Sequence, residues 1–324
     1  MIMRILVLAV ISLAVFRPET AAAQTTKWVM ATGYADGNFH TQNVLKFAED
    51  VRNLSNGAVE IKVLTNQSLL KMPEILRGVQ TGQVQLGEIL ISAYSNEDPF
   101  FEIDSIPYVS RGYEAARKVW ELSRPYIVTR LKKRQVDLLY SVAWPSQGLF
   151  TKIEIRSLED LKGSKFRVYN AATSRFAQLV GALPTTVQSA EVAQAFATGV
   201  VTTMVTSAQT GVDTQIWDFA RYYVNAEIMN VKNMVIVNER ALHTLPAASQ
   251  AAVREAAARA EVRGWEMSQK AEAASLDTLK QKGMTVATPS DAVVVGLRRI
   301  RETMLQEWMA KAGADGQAFV RAIK

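Results

Sequence analysis

Residues 247–282 read AASQAAVREAAARAEVRGWEMSQKAEAASLDTLKQK, and this stretch decides the fold. It is rich in Ala, Glu, Arg and Lys, with Gly264 as its one interruption. Thr244-Leu245-Pro246 in front of it reads as a cap followed by a proline at the first helical position. An unbroken helix of this length extends about 55 Å at 1.5 Å per residue, well beyond the width of a small lobe. A coiled coil is the obvious use for such a rod, but the apolar positions are mostly Ala and no Leu/Ile seam is sustained. The helix is therefore expected to bridge two lobes, with a bend at Gly264.

The chain on its N-terminal side supplies those lobes. Lys27–Tyr34 (KWVMATGY) is apolar and β-prone, and Val44, Leu45, Phe47, Ala48 and Val51 then follow helical spacing. Asn56-Gly57 marks a turn, and Val59-Glu60-Ile61-Lys62-Val63 alternates as a strand does. Pro73 opens a helix over 72–81 that Gly82 closes, and Leu86–Ile91 reads as a buried strand. A second series runs through Val136–Val142, Lys165–Tyr169, the helix Ala172–Val180 and Val200–Thr206. Strands alternating with helices predict doubly wound α/β layers, here twice in tandem.

Composition sets the remaining bounds. The chain has 324 residues, 48% hydrophobic and 21% charged, and no cysteine. Disulfide frameworks, thiolate nucleophiles and cysteine metal sites are excluded, and this apolar content argues against disorder. Met1–Ala23 has the form of a secretory signal: Arg4, the run ILVLAVISLAVF over residues 5–16, then Ala21-Ala22-Ala23, with cleavage expected before Gln24. The run falls short of the ~20 residues a spanning helix needs, so the mature chain is expected in the periplasm with no membrane insertion. Without Arg4, Arg17 and Glu19 the net charge falls from +6 to +5. That excess is spread along the chain, which speaks against nucleic-acid binding.

Catalytic signatures are scarce. GxGxxG, Walker A, GxSxG and HExxH are all missing. His40 and His243 lie in distant segments and do not suggest a metal site, so neither metal nor cofactor is expected. Ser68-Leu69-Leu70-Lys71 fits SxxK, but neither SDN nor KTG follows, and a solvated loop before the Pro73 helix is the better reading. An exported two-lobed α/β chain without a catalytic set points to binding.

Three stretches carry a resemblance. Ser157-Leu158-Glu159-Asp160-Leu161-Lys162-Gly163-Ser164-Lys165-Phe166-Arg167 resembles S-x-E-D-L-K-G-x-K-x-R. Gly181-Ala182, Pro184, Glu191 and Ala195–Val201 (AFATGVV) resemble GA-x-P…E-x-x-x-A-(L/F)-x-x-G-V-V. Val237-Asn238-Glu239 with Leu245-Pro246 resembles the entry into a long helix, and Ser55-Asn56-Gly57 and Asp104-Ser105-Ile106-Pro107-Tyr108 are weaker echoes. In this order they are similar to the extracytoplasmic solute-binding proteins of TRAP transporters, the DctP-type family. The resemblance implies an α/β, two-lobed periplasmic-binding-protein fold with hinge strands and a long helix spanning both lobes. It places residues 24–145 and 232–265 in the first lobe and 146–231 and 266–324 in the second, with helix 246–282 crossing between them. It also implies a monomeric receptor, not an enzyme, that hands a small organic acid to small and large permease subunits.

The resemblance further makes Arg167 a carboxylate clamp, and the chemistry agrees: guanidinium is planar, permanently charged and bidentate toward carboxylate. Arg175, in the helix that follows, is expected to be structural. Relatives carry D-G-x-x-N after G-V-V, whereas this chain has Thr202–Ser207 (TTMVTS), so Thr206 stands where the Asn would be and Ser207 follows it. The family's Arg before S-x-E-D-L is replaced by AWPSQGLF over 143–150, which brings Trp144 and the neutral donor Gln147. Fewer cationic anchors and more aromatics favour a monocarboxylate with an apolar, aromatic or 2-oxo body over a C4-dicarboxylate. Core packing is the competing reading for Trp144 and Trp217. Asn170 is expected to bond the carboxylate or a 2-oxo group. Tyr34, Phe39 and Tyr94 are expected to contribute from strand ends of the first lobe. Two other readings stay open: a sensory module for a membrane kinase, and an exported enzyme acting on a carboxylic acid.

Overall fold

The computed structural model describes residues 25–323, so the expected secretory signal lies outside the described residues. The first lobe is built from β1 (Thr26–Ala31), α1 (Phe39–Leu54), β2 (Val59–Leu64), α2 (Met72–Thr81), β3 (Leu86–Leu90), α3 (Gly112–Lys132) and β4 (Val136–Ala143). The second holds β5 (Gln147–Thr151), β6 (Lys165–Val168), α4 (Ala171–Leu179), β7 (Leu183–Thr186), α5 (Val192–Ala197), β8 (Thr203–Ser207), α6 (Ala208–Asp213) and β9 (Tyr222–Val224). The chain then returns through β10 (Lys232–Asn238) and α7 (Glu239–His243), and ends in α8 (Ala247–Gln281), β11 (Thr285–Ala287) and α9 (Asp291–Ile323). Gly82, in the left-handed conformation, closes α2 as its sequence position predicts.

Two sheets result, ordered β2-β1-β3-β10-β4 and β11-β9-β5-β8-β6-β7. In the first, β1 pairs in parallel with β2 and β3, while β10 is antiparallel to its neighbours. In the second, β6 pairs in parallel with β7 and β8, while β5 is antiparallel to β8 and β9. The reversals follow from the path. β5 and β10 are the strands by which the chain enters each lobe from the other, so they start where the remaining strands end. Residues 144–147 and 228–231 form the crossing ribbon, with Trp144 N donating to Val231 O at 2.8 Å and Gln147 N to Met229 O at 2.9 Å. The opening of each entering strand thus meets the C-terminal ends of its neighbours at the gap between lobes, where open α/β sheets bind ligands.

The long helix α8 is continuous through Gly264. The expected bend is therefore corrected: this glycine serves close approach, because a Cβ here would lie 2.3 Å from Val142 and 2.6 Å from the Asn43 amide. Pro246 sits one place before the helix, at the cap position, and not at its first residue. On the first lobe, Asn43 Nδ2 donates to Ala260 O at 2.9 Å and Trp265 Nε1 to Ser141 O at 2.9 Å. On the second, Ser275 donates to Gln209 Oε1 at 2.9 Å and Leu279 is fully buried. The last helical segment, broken by a kink at Gly313, also serves both lobes. Its early residues Val293 and Leu297 are buried and Gly296 abuts Leu158, whereas Trp308 lies 5.3 Å from the Phe100 ring and donates to Pro99 O at 2.6 Å. Assigning all of 266–324 to the second lobe therefore needs correction, since Trp308 and Phe319 fill an aromatic pocket of the first. Among the described residues no helix is long and apolar enough to cross a membrane.

Candidate functional site

A small cavity, about 50 Å³, lies between the lobes. Its second-lobe wall comes from three adjacent strands: Gln147 opens β5, Thr206 is the last residue but one of β8 beside it, and Arg167 stands on β6. Gly148 lets this wall close up, because a Cβ there would meet Val224 O at 2.3 Å. The first-lobe wall comes from Tyr34, just past the end of β1, and Trp144, just past β4.

Arg167 dominates the chemistry. It is 3% exposed, and its Nε donates to Val187 O at 2.9 Å, which fixes the plane of the guanidinium. The ring of Tyr169 lies 4.8 Å from its central carbon. Burial lowers the guanidinium from its ordinary value to about 10, so it stays charged at neutral pH. No carboxylate within ion-pair distance neutralises it among the described residues. A buried, unpaired cation is costly unless a ligand supplies the counter-charge.

Behind the aromatic wall lies a buried polar network. Asn233 Oδ1 accepts from Trp144 Nε1 at 2.9 Å and from the Tyr34 hydroxyl at 3.2 Å, and its Nδ2 donates to Glu88 at 3.1 Å. Glu88 also accepts from the Thr32 hydroxyl at 2.5 Å and faces His40 Nδ1 at 3.4 Å. Burial raises Glu88 to about 7 and pushes His40 well below its usual range. Both aromatic donors are spent on Asn233, so Trp144 and Tyr34 present ring surface to the cavity.

Five of the expected residues line the cavity: Tyr34, Trp144, Gln147, Arg167 and Thr206. The other five have different places. Asn170 caps α4, its Oδ1 accepting from Thr173 N at 2.8 Å, while its Nδ2 crosses to Ser92 Oγ at 2.9 Å. With both ends of the amide engaged, it bridges the lobes. Ser207 caps α6 by accepting from Thr210 N at 3.2 Å. Tyr94 is buried against α2, donating to Met72 O and accepting from Leu76 N. Phe39 packs behind the wall, 5.5 Å from the Trp144 ring. Trp217 packs among second-lobe core residues under the Lys282 ammonium at 5.3 Å. Arg175 pairs with Glu307 at 2.7 Å, and Glu191 binds its own turn at Gln188 N.

Thr210 also lines the cavity, as do Tyr169, Gln188 and Ser189, which were not anticipated. For Tyr169 a signal existed, because it lies two residues beyond Arg167 and an extended chain returns to the same face every second residue. Gln188 and Ser189 follow β7, parallel to β6, and only the topology brings them to the cleft. Among the described residues no group of three acidic, His or Cys side chains could hold a metal ion.

Known proteins share this design. The profile of the DctP family, "Bacterial extracellular solute-binding protein, family 7", matches residues 30–312. The crystal structure of DctP7 from Bordetella pertussis, an extracytoplasmic solute receptor binding pyroglutamic acid, is 46% identical with a TM-score of 0.91, covering 92% of this chain and 99% of that one. A TRAP solute-binding protein from an unidentified marine microbe, solved with co-purified pyroglutamate, is 35% identical with a TM-score of 0.90, covering 93% and 99%. The C4-dicarboxylate-binding periplasmic protein DctP of Rhodobacter capsulatus is 29% identical over 164 residues, 48% of each chain. The chain belongs to family 7 of the bacterial extracellular solute-binding proteins, the DctP-type receptors for organic acids in TRAP transport.

Proposed function

We propose that this receptor captures a small cyclic monocarboxylate of the pyroglutamate type. The carboxylate lies on Arg167, Gln147 and the Thr206 hydroxyl meet further polar groups, and the ring packs against the joint surface of Tyr34 and Trp144. One observation carries the reading: a buried guanidinium faces a partly aromatic cavity with no protein carboxylate to neutralise it. Closing the lobes excludes water and strengthens the ion pair. The 46% identity to a pyroglutamic-acid receptor supports the same ligand class.

The wider reading follows the resemblance. The chain is exported with its leader removed after Ala23, acts as a monomer in the periplasm without catalysis, and presents its closed form to the membrane subunits. Its lobes divide at residues 144–147 and 228–231. The test is native mass spectrometry of the purified protein, followed by thermal-shift screening of acids. At 100 times its dissociation constant a ligand adds about 2.7 kcal/mol. A large shift with pyroglutamate is expected. A shift confined to dicarboxylates or sugar acids overturns the substrate class, and turnover of the bound acid overturns the receptor reading.

A further inference from the structure

Arg167 and Gln147 stand on the same wall of the cavity, and one side chain decides which end of the Gln147 amide faces it. An amide such as Gln147 is nearly symmetric in shape and can offer a cavity either its carbonyl or its NH2 group. Its backbone is pinned on both sides, N–H to Met229 O at 2.9 Å and C=O from Ile228 N at 2.7 Å. Its side-chain Oε1 accepts from the Tyr169 hydroxyl at 2.7 Å. Tyr169 is buried and burial raises its hydroxyl above the usual phenol range, so the proton stays on oxygen and is available to donate. The same Tyr169 ring supports Arg167 at 4.8 Å.

We propose that Tyr169 is the positioning residue for ligand selectivity: by holding the Gln147 carbonyl it turns the amide NH2 toward the cavity, so the site selects acids carrying a carbonyl acceptor in addition to the carboxylate. Arg167 and the Gln147 NH2 are then both donors on one wall of the cavity. A lactam or 2-oxo carbonyl satisfies the second, whereas an ammonium group would face an arginine cation and a donor. This rests on the carboxylate-on-Arg167 reading above and specifies the second polar contact.

Isothermal titration of the mature protein with three five-membered-ring acids tests it. Pyroglutamate has the ring carbonyl, proline has a ring nitrogen without it, and cyclopentanecarboxylate has neither. The wild type is expected to prefer pyroglutamate over both others by at least tenfold. Tyr169→Phe keeps the ring beneath Arg167 and removes only the hydroxyl, so the preference for pyroglutamate over cyclopentanecarboxylate is expected to fall about tenfold. Gln147→Met is expected to lower the preference as far, and the double variant no further. If Tyr169→Phe weakens both acids alike, Tyr169 merely supports Arg167 and the inference is overturned. Preference for proline would show that Gln147 presents its carbonyl instead, which also overturns it. If the wild type binds none of the three, the carboxylate reading fails and the inference with it; binding of pyroglutamate with an unchanged preference in Tyr169→Phe sinks the inference alone.

Discussion

Asn170 at the start of α4 donates its amide to the Ser92 hydroxyl in the first lobe at 2.9 Å. Its carbonyl is already committed to capping α4, so the two ends of one side chain tie a helix terminus to the opposite lobe. Ser92 is fully buried. Asn38 makes a matching contact between the lobes, donating to Asp213 at 2.7 Å. Removing the Ser92 hydroxyl leaves the cap intact. Ser92→Ala is therefore expected to weaken binding of the proposed acid about fivefold, the worth of one neutral hydrogen bond of about 1 kcal/mol. Calorimetric titration checks the affinity, and the ligand-free melting temperature should change little.

Arg167→Lys keeps a positive charge but loses the planar fork and the Nε bond to Val187 O. A fall in affinity of at least about 100-fold is expected, in line with the 2–5 kcal/mol lost when a buried hydrogen-bonded charge pair is truncated. Retention of affinity within a few-fold would place the clamp at another residue. Circular dichroism confirms that the variant is folded.

Glu88 gives a pH signature. Its folded value, about 7, lies above that of an unfolded glutamate, because burial disfavours the carboxylate beside His40, Tyr34 and Asn233. The folded state therefore holds a proton that the unfolded state releases. This contribution is fully present below about pH 4.5 and is lost as pH rises through 7. Glu88→Gln cannot titrate. Its stability relative to wild type should rise with pH between about 4.5 and 7, measured by urea unfolding across that range.

Lys232 and Asp104 form an ion pair at 3.1 Å with both side chains buried, where the returning strand β10 begins. Asp104 also accepts from the Lys232 backbone N–H at 3.0 Å. Asp104→Asn leaves the ammonium buried without its counter-charge. A loss of about 3–5 kcal/mol in urea unfolding is expected, whereas Asp104→Asn with Lys232→Met should recover part of it.

Gly264→Ala places a methyl 2.3 Å from Val142 in the tightest approach of α8 to the first lobe. Overpacking of this kind costs about 1–3 kcal/mol, and thermal unfolding should show it despite the better helix propensity of alanine.

What the sequence made legible follows from the range of each signal. Strands β2, β3, β4 and β6 and helix α2 are local patterns that the structure keeps to within one residue, β1 and β8 are each displaced by up to three, and β5, β7, β9, β10 and β11 were not read. The Ala-rich rod shows equally clearly, because length alone forces it to bridge. Gly264 misled because a glycine that breaks a helix and one that admits a neighbour look the same until Val142 and Asn43 are in place. At the site, Arg167 was legible from the motif it closes, and Gln147 and Thr206 from the places where the chain departs from the family's pattern. Asn170 and Ser207 were polar residues at the right positions, but helix starts compete for such side chains, and capping won. Glu88 and Asn233 gave no signal: an acid inside an apolar strand becomes meaningful only when Trp144 and Tyr34 are seen to hang from its partner.

The return of α9 to the first lobe has a practical consequence for watching this receptor at work. Lys118 on α3 donates to Ile323 O at 3.2 Å, and Thr26 begins β1 in the same lobe. Under the proposed closure, fluorophores at these two ends stay on one lobe and keep their separation when ligand arrives. A label at Ile153, 58% exposed on the second lobe, paired with one near Thr26, would follow the distance that capture alters.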